Sequence, residues 1–177
     1  LVEQKLSLGV DPKNIGYFAF TNRASDEAKE RAFALFNYDS DDLPYFRTLH
    51  SLAFQRLGLS RSQVFNEDQR KDFGDLMGLE ITGRSSFEEG SFAFSKKGDQ
   101  ILGMIEVARV RGIPVRQQWQ QTDSDIGWFE VERAERGLYE FKKARNLYDF
   151  TDMLSLFISE DVAPKLEIIF IDEAQDL

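Results

Sequence analysis

Cysteine is absent from the 177 residues, and there is one histidine, His50. Disulfides and thiolate metal sites are thereby excluded, and a histidine-based zinc site, which needs several such ligands, has nothing to build on. No stretch of eighteen apolar residues is present, nor a basic-plus-apolar leader, so neither a membrane span nor a secretory signal is read and a cytoplasmic setting is the expectation. An excess of positive charge is lacking as well. The net charge of −9 at first argues against nucleic acid, whose binding is largely an electrostatic term. The placement of the charges along the chain removes that objection. Residues 1–58 carry seven Lys/Arg against eight Asp/Glu and residues 59–148 carry fourteen against fifteen, whereas the last 29 carry one against eight. The acidity is concentrated at one end, and near-neutral segments are left to hold local basic patches.

What is present is ordinary for a globular protein: 42% hydrophobic and 30% charged residues, enough for one domain with an insertion or for two small ones. The chain starts at Leu1 without a methionine and stops just past its most site-like stretch, which reads as a piece of a longer protein. That stretch is Leu166 to Leu177. Its apolar run through Ile171 predicts a strand buried on both faces of a parallel sheet. Asp172 and Glu173 follow at once, which delivers two carboxylates to the sheet's carboxyl edge, where open α/β sheets place ligands and where a magnesium-bound phosphate would suit. Adjacent acids also serve simply to solvate a strand end, and two acids alone do not separate these readings.

Upstream, Leu1 to Leu8 reads as a short helix capped by Gly9. Ile15 to Phe20 is a second strand, and Thr21 to Ser25 leads into a helix with Ala28, Ala32, Leu35 and Phe36 at helical spacing, with Ser25 as N-cap and Asp26 and Glu27 in its first turn. Strand, polar turn and helix make an α/β unit. Phe20, ending a strand, reads as core on pattern alone. Thr48 is expected to cap a helix over Leu49 to Leu57 that ends at Gly58. From Leu59 to about Asn146 the texture is helical. Asn66 with Gln69 suggests a capping box for a helix running towards Met77. Gly83 to Gly90 reads as a loop; Ile101 to Ala108 marks a helix, and Trp128 to Phe141 a longer one. Arg109, Arg111 and Arg116 are weighed between facing DNA and merely solvating helix ends. Asp149 is expected to cap a helix buried through Phe150, Met153, Leu154 and Phe157, and Pro164 to end that region.

Four strings carry a resemblance to one family. Asp172-Glu173-Ala174-Gln175-Asp176 closely resembles the Walker B motif of superfamily 1 DNA helicases of the UvrD/Rep type. Ala19-Phe20-Thr21-Asn22-Arg23-Ala24-Ser25 is similar to that family's motif Ia, with Ala19 where a threonine is usual. Thr48-Leu49-His50-Ser51 resembles motif Ib, with Leu49 in place of phenylalanine. Asp149-Phe150-Thr151-Asp152-Met153-Leu154 resembles a string that commonly precedes the Walker B strand. They occur in the family's order and span essentially the whole chain.

The resemblance implies a partial RecA-like (P-loop NTPase) parallel sheet, residues 1–58 and 147–177, with a mostly helical inserted subdomain at 59–146. It implies ATP and Mg²⁺ as cofactors. In this reading Asp172 holds the metal, Glu173 polarises the attacking water, and Gln175 senses the γ-phosphate and couples it to DNA. Phe20 helps form a base pocket, Thr21, Asn22 and Arg23 lie along single-stranded DNA, and Thr48 and His50 contact the strand backbone. The partners are single-stranded DNA and duplex junctions, and translocation runs 3′ to 5′. No Gly-x-x-x-x-Gly-Lys-Ser/Thr loop occurs in the sequence, so the expectation is that the parent protein is an ATP-dependent DNA helicase and that these 177 residues alone hydrolyse little or no ATP. Three other readings share part of the pattern. They are a helicase-nuclease of the AddA/RecB kind, a non-catalytic DNA-binding module with the same fold, and a metal-dependent hydrolase using Asp172, Glu173 and Asp176 directly.

Overall fold

The computed structural model describes residues 1–82 and 96–174, in two compact units, Leu1–Leu59 with Met153–Leu177, and Ser60–Asp152. The loop expected at Gly83 to Gly90, Gln175 and Asp176 lie outside the described residues.

The first unit is built on three short strands, β1 (Ile15–Phe18), β2 (Phe46–Arg47) and β3 (Ile168–Ile171), all parallel and ordered β2-β1-β3. Tyr17 pairs with Phe46 on one side and Phe170 on the other, so successive side chains divide cleanly between two faces. Ile15, Tyr17, Phe46 and Phe170 share an apolar cluster with Leu6 from α1 (Val2–Ser7) and with Ala28, Ala32, Phe33 and Phe36 from α2 (Asn22–Phe36). At Gly16, a Cβ would lie 2.7 Å from the Leu166 side chain and 2.9 Å from that of Phe18, so any larger residue would have to displace those two side chains.

Two expectations for this unit are corrected. The strand ending at Ile171 is not buried on both faces: Ile169 and Ile171 are 56% and 50% exposed. A parallel strand is enclosed only where something covers each face and flanks each edge, and among the described residues β3 has β1 as its sole neighbour. The N-cap of α2 is Thr21 rather than Ser25. The Thr21 side chain accepts a hydrogen bond from the Ala24 amide at 3.2 Å, so the helix begins at Asn22, Asp26 and Glu27 fall beyond its first turn, and Ser25 is buried, donating to the Asn22 carbonyl at 2.8 Å. A hydroxyl one turn earlier satisfies the orphan amides first.

In the second unit, α4 (Glu67–Met77), α5 (Lys97–Val110), α6 (Val115–Gln121) and α7 (Trp128–Arg145) surround one core. Val131, Ala134, Leu138 and Phe141 form the buried stripe of α7, and Phe141 meets Phe73 and Phe65 edge-on at centroid distances of 5.6 and 6.2 Å. Asn66 caps α4 as expected by accepting from the Gln69 amide at 3.0 Å, but the Gln69 side-chain oxygen has no partner, so only half of the capping box forms. Helix α6 has no counterpart in the sequence reading: of its seven residues only Val115 is buried.

The unit closes on its last residues. Tyr148 and Val64 form a parallel bridge, with Tyr148 donating to the Gln63 carbonyl at 2.7 Å and Phe65 donating to Tyr148 at 2.9 Å. The compact unit extends through these residues to Asp152. Asp149 and Asp152 cap the start of α8 (Phe150–Ser159) reciprocally, each carboxylate accepting the other's amide at 2.8 and 3.0 Å. Both are also gripped by Arg109 of α5 and Lys142 of α7, the latter at 2.6 Å from each. Arg109 is thus committed to an internal network of ion pairs. Arg111 donates to Gln118 and Gln121, and Arg116 lies over the Trp128 ring. In α8, Met153 is buried, whereas Phe150, expected in the core, is 49% exposed.

Candidate functional site

Because β2, β1 and β3 are parallel, their carboxyl ends open onto one edge of the sheet, and the three segments singled out in the sequence leave from it side by side. Thr48 and His50 follow β2, Phe20 to Arg23 follow β1, and Asp172 and Glu173 follow β3.

Asp172 is still held by the ladder, its amide donating to the Phe18 carbonyl at 2.8 Å. Its carboxylate neighbours the Tyr17 phenol on the same face of the sheet. Burial and this neighbouring negative charge push the Tyr17 phenol up to about 12, so it stays a neutral donor at any working pH. Glu173 is exposed and has φ of +51°, a left-handed conformation uncommon outside glycine and asparagine that turns the chain sharply away from the strand. A pocket of about 380 Å³ opens beside this edge between α1, α2 and the sheet, with Glu3, Tyr17, Arg31 and Asp172 among its lining groups. Sequence reasoning does not single out Tyr17, Glu3 or Arg31. The one signal is a polar tip on an otherwise apolar strand at Tyr17.

At the adjoining position Phe20 is 64% exposed, which corrects its reading as core. It stands just past the end of β1, where the alternation of faces no longer binds it to the interior. Thr21 spends its oxygen on the cap of α2, and Asn22 is the exposed first residue of that helix. Arg23 is 90% exposed and pairs with Glu27 at 3.0 Å, a surface pair of about 0.5 kcal/mol or less that a phosphate would readily displace. Thr48 is nearly buried, 8% exposed, and caps α3 (Leu49–Arg56) by accepting from the Ser51 amide at 3.2 Å. His50 is half-buried, and burial holds its imidazole below the ordinary value, so at neutral pH it is an uncharged hydrogen-bonding group rather than a cation.

The sequence of this chain matches the model of the UvrD/REP helicase N-terminal domain over residues 2–177. It belongs to the UvrD/REP helicase family. Comparison with curated proteins gives no match. The three-stranded parallel sheet is accordingly part of a RecA-like α/β fold. No helix among the described residues is long and apolar enough to cross a membrane.

The donor chemistry at the sheet edge fits the magnesium ion that such a fold implies. No group of three or more His, Cys, Asp or Glu side chains among the described residues would enclose a metal alone. Mg²⁺ does not require one: it is usually bound through one or two carboxylates, with waters and substrate phosphates completing the octahedron. Asp172 supplies such a hard oxygen in the lining of the pocket, and the exposed Glu173 follows it directly in the chain.

Proposed function

We propose that this chain supplies one nucleotide-handling edge and part of the single-strand path of a helicase that couples ATP hydrolysis to translocation on single-stranded DNA, 3′ to 5′, and to unwinding at duplex junctions. The observation that carries this reading is the shared carboxyl edge of β2, β1 and β3, which brings the acid pair of β3 next to the exposed aromatic and polar segment that follows β1. Hydrolysis and strand contact are then neighbours on one rigid sheet, as coupling between them requires.

In this reading Asp172 would hold Mg²⁺, which when bound would supply positive charge against that developing in phosphate transfer. Glu173, directed outward by its left-handed backbone, orients the attacking water and takes its proton. Gln175 links the γ-phosphate to the DNA path. Phe20 offers a ring on which any base can stack, and Asn22 and Arg23 offer an amide and a guanidinium to phosphates, which suits a motor that must track sequence without reading it. Thr48 and His50 support the strand backbone at the adjoining strand end, His50 as a neutral donor.

The test is the ATPase rate of the full-length protein with and without single-stranded DNA, and with Glu173→Gln. The expected result is stimulation by DNA and a loss of about two or more orders of magnitude in the variant, the scale of removing a general base. A rate indifferent to both would refute the motor reading.

A further inference from the structure

We propose that the cavity between α5 and α6 takes one base of a single-stranded DNA chain, with the Arg111 guanidinium beside it receiving that nucleotide's phosphate. The proposal rests on the motor reading above and adds to it a nucleotide site on the second unit. The cavity has a volume of about 280 Å³ and is lined from α5 by Gly103, Met104 and Val107 and from the other side by Gln118, Thr122 and Asp123. Gly103 and Val107 are one turn apart on the helix, and the absence of a side chain at Gly103 gives the floor its depth. Gln118 is fixed at both ends of its amide: the oxygen accepts from Arg111 Nη1 at 2.7 Å and the nitrogen donates to the Thr122 hydroxyl at 3.2 Å. The same Arg111 nitrogen donates to Gln121 at 2.9 Å. Arg111 is exposed and both of its acceptors are neutral, so its charge is held in place beside the cavity wall without being cancelled. The surrounding run, residues 107–122, holds three arginines and no Asp or Glu in a chain of net charge −9. A guanidinium oriented by neutral groups is a ready ligand for phosphate, unlike one already spent on a carboxylate. Met104 and Val107 offer the face of a base an apolar floor, and Asp123 offers an acceptor to base amino groups while repelling an acidic peptide side chain. Sites for whole drug-sized ligands span roughly 300–1,000 Å³, so a cavity just below that range suits a single base.

Two kinds of variant of the full-length protein test this on labelled single-stranded oligonucleotides, with affinity read by fluorescence anisotropy. Arg111→Gln keeps a hydrogen-bonding side chain and removes the charge. For one lost phosphate contact, the slope of log affinity against log salt should become shallower by about 0.7, and Arg111→Lys should restore it, with melting temperatures unchanged because the side chain is exposed. Gly103→Leu fills the cavity and should weaken binding about fivefold, the low end for one bound base. An abasic oligonucleotide of the same length presents phosphates alone, and the Gly103→Leu variant and the original protein should bind it equally. A salt slope unchanged in Arg111→Gln, a slope that Arg111→Lys does not restore, or an equal loss by Gly103→Leu on the normal and abasic strands overturns the proposal. ATP hydrolysis still stimulated by single-stranded DNA would then leave the motor reading in place. Should Gly103→Leu fail to fold, the Arg111 pair decides alone. An original protein that binds no single-stranded DNA overturns the motor reading and this proposal with it.

Discussion

Replacing Lys142 by methionine removes one of two cations from the network that anchors the start of α8, and its effect should depend on pH in a defined direction. Lys142 is 8% exposed and lies 2.6 Å from both Asp149 and Asp152, so methionine keeps the buried stem and deletes the charge. Burial by itself would raise the Asp149 carboxyl, but the Lys142 ammonium and the Arg109 guanidinium outweigh it and hold the group at about 2, against an ordinary 3.8. At about 1.4 kcal/mol per pH unit, that depression is worth about 2 kcal/mol of stability. Because the folded-state value lies below the unfolded one, this stabilisation is complete well above pH 3.8 and is lost as pH falls towards 2. With Arg109 left as the remaining partner, the variant should lose about 3 kcal/mol at pH 7, the low end for breaking a buried ion pair. Its Asp149 returns towards the ordinary range, so between pH 7 and pH 3 the gap between the two proteins should narrow by about 1 kcal/mol. Urea unfolding followed by tryptophan fluorescence reads this directly, because both tryptophans, Trp119 and Trp128, sit in the second unit. A gap that stays constant or widens on acidification would refute the assignment of the stabilisation to ionised Asp149.

Phe20→Ala should weaken binding of single-stranded DNA by about 1–3 kcal/mol, the scale of one stacked base, while leaving the melting temperature nearly unchanged, since the ring is 64% exposed; fluorescence anisotropy and calorimetry on the full-length protein check both halves. Gly98→Ala should destabilise the second unit by about 1–3 kcal/mol in the same urea assay, because the added methyl would lie 2.5 Å from the Glu80 carbonyl, which cannot swing aside as a flexible side chain would.

The elements legible in the sequence are those with a strong local cause. Helix α7 shows Val131, Ala134, Leu138 and Phe141 at helical spacing, and those four are buried. Thr48 precedes α3 and caps it. Helix α6 escapes the sequence because one buried valine in seven residues gives no period to detect. The start of α2 is ambiguous in the sequence because Thr21 and Ser25 are equally good caps in isolation, and only the folded chain separates them, with Thr21 accepting from the Ala24 amide and Ser25 buried inside the helix. Arg109 reads as a surface cation because its two carboxylate partners lie 40 and 43 residues away in sequence.

Motif residues are a matter of side-chain type and order, and the sequence by itself determined them: Asp172 and Glu173 after an apolar run, Phe20 to Arg23 after another, and Thr48 to Ser51 at a helix start. It determined the family for the same reason, since order and type survive without coordinates. Tertiary structure alone decided which of these segments are neighbours, through the parallel order β2-β1-β3 that opens all three onto one edge. It alone exposed Phe20, buried Thr48 and set Tyr17 against Asp172. Register and burial are properties of pairs of elements distant along the chain, and no local pattern of residues encodes them.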